Sequence, residues 1–247
     1  MPRHQTEPEQ SRRARCRRQD AQGWFLAVAS LAIALSFTSP VQADTGPTIT
    51  GVANVVDGDG LKIGPVAIRL HGIDAPEAGQ TCPRAGGGTW PCGQDAAQLL
   101  DDLAGGREVV CTALDRDPYG RILATCAVSG RDVATEIMRI GLAWAYVEYN
   151  DDYVALEAEA KAAGRGVWQA AAQAPWDYRA DRWGRAVEAS PGGCPIKGNI
   201  SAEGERIYHT PWSPYYGRTQ ISEVQGERWF CDEAAAQAAG WRGAEGR

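Results

Sequence analysis

Residues 108–128 read Glu108-Val-Val-Cys-Thr-Ala-Leu-Asp-Arg-Asp-Pro-Tyr-Gly-Arg-Ile-Leu-Ala-Thr-Cys-Ala-Val128. Two β-prone runs, EVVCTAL and RILATCAV, flank the cluster Asp115–Gly120. Apolar and β-branched runs on either side of Asp, Pro and Gly spell a hairpin. Cys111 and Cys126 are equidistant from the point between Pro118 and Tyr119, so they face each other across it. Arg121 opens the return strand, where a guanidinium presents a planar fork of donors matched to phosphate oxygens. The alternative for Arg121 is one more exposed loop arginine.

Working outward, Ile49–Val56, Leu61–Ile63 and Ala67–Ile73 read as strands joined by Gly and Asp turns. Gln94–Leu103, Val133–Ile140 and Tyr153–Ala163 read as helices, the last stopped by Gly164. Short strands followed by helices make residues 47–168 an α+β unit, a small barrel capped by helices. Residues 169–193 are Ala-rich, then Trp- and Arg-rich, and end in Ser190-Pro191-Gly192-Gly193. They read as an extension packed on the first unit, then a linker. Residues 194–243 form a compact aromatic unit with a closing helix, Asp232 as N-cap and Gly240 as C-cap.

The chain has 247 residues, 44% hydrophobic and 23% charged. That composition excludes a mostly disordered chain, a collagen and a multi-span membrane protein. Arg12, Arg13, Arg15, Arg17 and Arg18 precede an uncharged, mostly apolar run, Trp24 to Phe37, and then Val41-Gln42-Ala43. This is the pattern of a secretory signal over residues 1–43, with cleavage expected before Asp44. A retained membrane anchor is the alternative, but the run is short of the about 20 residues a span needs. The expected localisation is periplasmic or extracellular.

Residues 1–43 hold six Arg and three acids, which leaves nineteen basic and twenty-eight acidic side chains, a net −9. An acidic body is a poor nonspecific nucleic-acid binder, so a polyanion must be gripped locally, by a few arginines or a metal. Cys16 lies in the signal. The other six cysteines, an even number in an exported chain, point to disulfides. Cys82-Cys92 would bracket a Gly/Pro-rich loop, Cys111-Cys126 the hairpin, and Cys194-Cys231 remain. The competing reading is a zinc site with His209, though the spacing matches no common finger.

Three stretches carry acids and arginines together. Val56-Asp57-Gly58-Asp59-Gly60 sets two carboxylates one residue apart, and by itself is also an ordinary turn. In Arg69-Leu70-His71-Gly72-Ile73-Asp74-Ala75-Pro76-Glu77, strand alternation places Arg69, His71 and Ile73 on one face. Asp74 then ends the strand, and Pro76 fixes a turn that presents Glu77. These acids suit a metal ligand and a general base, or a solvated surface turn. The third stretch is the hairpin tip, Asp115–Arg121.

In that order the three stretches, with Gly141-Leu142-Ala143 and the ending Ala163-Gly164-Arg165-Gly166-Val167-Trp168, resemble the staphylococcal-nuclease-like (thermonuclease) family over about residues 50–168. The resemblance implies a five-stranded OB-type barrel with three helices. It implies one calcium ion held by Asp59, Asp74 and the backbone carbonyl of Ala75, with Asp57 supporting it from nearby. Glu77 would orient or deprotonate the attacking water, and Arg69 and Arg121 would hold the scissile phosphate of DNA or RNA. The products would carry 3′-phosphates. The substrate-facing tyrosine is Tyr146 or Tyr149. Many members have Thr where this chain has Gly60, which removes a hydrogen bond near the ion, and some have Thr at Ala75.

The C-terminal motifs Ile196–Ile200, Tyr208-His209-Thr210-Pro211, Tyr215-Tyr216 and Trp229-Phe230-Cys231 look like a small module appended to some bacterial secreted nucleases. Its aromatics suit a small disulfide-stapled core, or a glycan surface. The expectation is therefore a secreted, calcium-dependent, monomeric nuclease with no stable protein partner. The alternative is a non-catalytic OB-type binding module for nucleic acid or exopolysaccharide. A pure binder has no need to retain Asp59, Arg69, Asp74, Glu77 and Arg121 together.

Overall fold

A computed structural model describes residues 46–244, and the expected export signal at residues 1–43 lies outside the described residues. Five strands close a barrel: β1 (Thr48–Val55), β2 (Gly60–Ile63), β3 (Val66–Leu70), β4 (Glu108–Arg116) and β5 (Ile122–Val128). The first half of β1 pairs with β4 and its second half with β2, so one bent strand serves both neighbours. The bend is crowded: a Cβ at Gly51 would sit 2.6 Å from the Ile63 side chain. β3 pairs in parallel with β5, Ile68 opposite Ile122 and Leu70 opposite Ala124, and this parallel pair closes the mixed barrel. Leu61, Ile68, Leu70 and Val109 fill it from the strands.

Three helices cap it, α1 (Cys92–Ala104), α2 (Val133–Ile140) and α3 (Val154–Ala162). They add Leu100, Ile137 and Met138 to the same core. α2 shows how local chemistry sets its ends. The Asp132 carboxylate accepts the Thr135 N–H at 2.9 Å, and Gly141 takes the left-handed conformation (φ 80°) that ends the helix. The hairpin register places Cys111 opposite Cys126. Disulfides join Cys82–Cys92, Cys111–Cys126 and Cys194–Cys231, which is the chemistry of an oxidising compartment. The zinc reading falls with them: the cysteines are consumed, and His209 Nε2 lies 2.8 Å from Asn199 Oδ1.

Two expectations are corrected. The strand read as Ala67–Ile73 ends at Leu70. Gly72 (φ 79°) turns the chain, and Ile73–Asp74 pairs instead with Trp144–Ala145. The alternation therefore stops at the turn, and Ile73 enters the core, fully buried, instead of sharing a face with Arg69. In the C-terminal unit the closing helix ends one residue early, with Ala239 as its cap and Gly240 (φ 80°) just beyond.

The extension contains an element its composition hides. Residues Pro175–Ala189 form α4, a 15-residue helix with proline at its first position, where the missing N–H costs nothing. Three hydrogen bonds anchor this segment. Gln80 Nε2 donates to the Gln173 carbonyl (2.8 Å), Tyr178 Oη to the Gly79 carbonyl (3.2 Å) and Arg182 Nε to the Pro211 carbonyl (2.9 Å). The helix is thus tied at one side to the loop after Glu77 and at the other to the C-terminal unit.

That unit is a four-stranded sheet of β6 (Ile196–Ile200), β7 (Arg206–His209), β8 (Arg228–Phe230) and β9 (Arg242–Gly243), in the order β8-β6-β7-β9. Helix α5 (Glu233–Ala238) packs on it. Ile196, Tyr208, Phe230, Ala236 and Trp241 make its core. Gly198 lets the two rings close in, since a Cβ there would lie 2.6 Å from Phe230 and 3.0 Å from Trp241. No described helix is long and apolar enough to cross a membrane.

Candidate functional site

The barrel end where β1 turns into β2 and β3 runs into the Ile73–Asp74 pair opens on a cleft of about 880 Å³. Asp57, Asp59, Arg69, Ala75, Glu77, Arg121, Tyr146 and Tyr149 line it. Asp74 lies behind them, fully buried and bonded to the lining arginines. All residues singled out by sequence therefore meet in one place, although they come from four separate segments.

The acids are tied by guanidinium groups. Arg69 takes both oxygens of Asp59, Nη1 to Oδ1 at 3.2 Å and Nη2 to Oδ2 at 3.0 Å. The same Nη2 donates to Asp74 Oδ1 at 2.6 Å. The Ala75 N–H donates to Asp59 Oδ2 at 3.1 Å, which brings the Ala75 peptide against that carboxylate. Burial pushes the Asp59 carboxyl up to about 7, against the pull of Arg69. The main cause for Glu77 is again burial, which raises it to about 7 while a neighbouring arginine opposes.

That neighbour is Arg179 of α4, a residue absent from the sequence reading. Its Nη2 donates to Asp74 Oδ2 at 2.8 Å, and its Nη1 to Asp74 Oδ1 at 3.1 Å and Glu77 Oε1 at 2.7 Å. Gln80, also unremarked in the sequence, is 1% exposed. Its Oε1 accepts the Glu77 N–H at 3.2 Å, while its Nε2 reaches the segment before α4. The signal for both was weak: three arginines at spacing three in PWDYRADRWGR, and a glutamine in a loop.

Arg121 is oriented from its own turn. Asp117 Oδ2 accepts its Nε at 2.6 Å, and Tyr119 lies under the guanidinium at 5.8 Å. Tyr146 and Tyr149 touch edge to face at 4.9 Å. His71 stacks on Tyr149 at 5.3 Å, and Trp176 of α4 stands 6.1 Å from Tyr146. Gly60 has a steric role here: a Cβ would fall 2.6 Å from Asp57 Oδ1, so the glycine makes room for that carboxylate.

The far wall belongs to the C-terminal unit, with Tyr208, Trp212, Glu233 and Arg242 facing the barrel residues, and Trp183 of α4 beside them. Glu233 accepts the Tyr208 hydroxyl at 2.9 Å.

Among the described residues no three acidic, histidine or cysteine side chains converge as a ready-made metal cluster. The donor chemistry nevertheless fits a hard divalent cation that takes fewer protein ligands. Asp57, Asp59, Asp74 and Glu77 set four carboxylates against two guanidinium groups, and all the donors are oxygens.

A closed mixed barrel, with acids and arginines gathered at one end, is an OB-type fold. The family model described as "Staphylococcal nuclease homologue" matches residues 67–170, and one described as ArfC matches residues 184–243. The chain is 37% identical over 136 residues to an "Uncharacterized endonuclease" of Escherichia coli, covering 52% of this chain and 82% of the relative. It is 34% identical over 134 residues to the succinoglycan biosynthesis protein ExoI of Rhizobium meliloti (strain 1021), covering 52% and 69%. A probable staphylococcal-like nuclease, CAN3, of Oryza sativa subsp. japonica matches at 31% over 118 residues, covering 47% of this chain and 29% of its own length. The chain belongs to the staphylococcal nuclease family.

Proposed function

We propose that the protein is an exported, divalent-cation-dependent nuclease that hydrolyses phosphodiester bonds of DNA or RNA with little sequence preference. The observation that carries this reading is the meeting of Asp59, Asp74, Glu77, Arg69 and Arg121 at one cleft. Endonuclease and nuclease names among the relatives support it. The three disulfides support export, as does the basic-then-apolar pattern of residues 1–43.

In this reading Asp59, Asp74 and the Ala75 carbonyl would hold a calcium ion, with Asp57 supporting it from nearby. The ion supplies charge neutralisation at the phosphate. Arg69 and Arg121 bind the non-bridging oxygens and stabilise the charge that builds as the phosphorus gains a fifth oxygen. Glu77 orients the attacking water and accepts its proton. The P–O bond to the leaving sugar oxygen breaks, and that oxygen ends protonated. Tyr146 and Tyr149 offer ring faces to adjacent bases, a sequence-tolerant contact.

The test uses the chain from Asp44 with its disulfides oxidised, and follows hydrolysis of single-stranded DNA with calcium, with magnesium and with chelator. Calcium-dependent cleavage that is lost with chelator and in Glu77→Gln is the expected result. A folded protein that binds the strand and cleaves with neither metal would instead be a binding module.

A further inference from the structure

Arg179 sits where the proposed chemistry is done, yet it comes from outside the barrel and between the two stretches matched by family models. It holds both oxygens of Asp74 and one of Glu77, the carboxylates that the proposed function assigns to ion and water. Its side chain is 24% exposed on the cleft wall, so solvent and substrate reach it. Helix α4 does not depend on this contact for its place. The anchors at Gln173, Tyr178 and Arg182 hold it on both sides. The guanidinium is therefore free to change partner on its flexible stem while the helix stays put.

Charge says what the partner would be. With all four ionised, Asp57, Asp59, Asp74 and Glu77 outnumber Arg69 and Arg179 by two charges, an excess that repels a phosphodiester. A divalent cation on Asp59 and Asp74 cancels that excess and competes with Arg179 for Asp74. A guanidinium released at that point faces a cleft in which the arriving anion is a phosphate, the group its fork fits best.

We propose that Arg179 is a third phosphate-binding arginine of the site, supplied by α4 and held in the cation-free protein as a counter-ion on Asp74 and Glu77. The inference rests on the nuclease reading and adds a residue to it. It also gives the segment before the C-terminal unit a task, which is to deliver this arginine.

The two halves of the role have opposite signs, which is what makes the test sharp. In Arg179→Met, with the substrate absent, calcium binding measured by calorimetry is expected to tighten about tenfold, because a charge-assisted competitor is gone. At saturating calcium, kcat/KM on single-stranded DNA is expected to fall about a hundredfold, the scale of losing one donor to a developing oxyanion. Arg179→Lys keeps the charge without the fork and is expected to lie between the two on both measurements. It also serves if the methionine variant does not fold, as judged by near-ultraviolet circular dichroism. Wild-type protein that cleaves with calcium, beside a variant that binds calcium no tighter or cleaves as fast, overturns the role of Arg179 and leaves the nuclease reading standing. Wild-type protein with no cation-dependent cleavage overturns both.

Discussion

Asp117 holds Arg121 from two directions. One carboxylate oxygen accepts the Arg121 and Tyr119 backbone N–H groups at 2.9 and 3.0 Å, and the other accepts the Arg121 Nε at 2.6 Å. The acid is nearly fully buried, so the turn and the arginine's direction are set by one group. On the proposed function, Asp117→Asn keeps an acceptor for the turn and loses the charge pair. It is expected to lower kcat/KM about tenfold with little change in thermal midpoint. Asp117→Ala is expected to cost about 1–3 kcal/mol as well, since two part-buried backbone N–H groups lose a charged acceptor. Steady-state kinetics and denaturant unfolding of the two variants separate the effects. An asparagine variant as active as wild type would show that Arg121 needs no such support.

Gly58 sits between the first acidic stretch and the packed core. A Cβ there would lie 2.8 Å from the Ala75 Cβ and 2.9 Å from the Ala96 Cβ, both on buried residues. Gly58→Ala is therefore expected to destabilise by about 1–3 kcal/mol through overpacking. It pushes directly on Ala75, whose carbonyl is a proposed ion ligand, so calcium affinity measured by calorimetry should weaken in the same variant.

The C-terminal unit has a core of only five buried side chains and leans on its disulfide. Cys194 and Cys231 are 37 residues apart, and closing a loop of that length restricts the unfolded chain by about 4 kcal/mol. The double variant Cys194→Ser/Cys231→Ser should lose the unit's protection in hydrogen exchange while the barrel keeps its own. Retained protection would mean that packing against α4 suffices.

His209 is held below its ordinary value of 6.5, first by burial and then by the Lys197 and Arg218 charges. The unfolded chain therefore binds more protons than the folded one between the depressed value and about 6.5. Stability should rise with pH across that window and be lost as the pH falls below about 6.5. His71, lowered mainly by burial, adds a slope of the same sign. His209→Gln, measured by denaturant unfolding from pH 5 to 7, should flatten part of the acid slope. An unchanged slope would place the titration elsewhere.

Much of the barrel was legible because its causes are local. Counting residues from the Pro118–Tyr119 centre puts Cys111 opposite Cys126, and the ladder pairs them, although a bulge between Ala113 and Asp115 shifts the register by one nearer the tip, where Asp115 faces Leu123. Val133–Ile140 is a helix with the bounds its pattern implies, capped by Asp132. The break after Leu70 was not legible. It depends on Gly72 turning and on Trp144–Ala145, seventy residues further on, offering a ladder to Ile73–Asp74. Alternation describes a strand only while it remains one strand.

Helix α4 was missed for a related reason. Its charged and aromatic residues make no clean apolar stripe, because it packs between two units and buries chiefly its ends, Pro175 and Ala186. By sequence alone, the chain determined several of its turns and caps, the Cys111–Cys126 pairing and the set of acids and arginines in order, since each follows from neighbours a few residues away. Only the tertiary structure decided which arginine meets which acid. One of the two arginine partners of Asp74, Arg179, lies 105 residues downstream, and barrel closure, helix docking and burial, acting at long range, bring the two together.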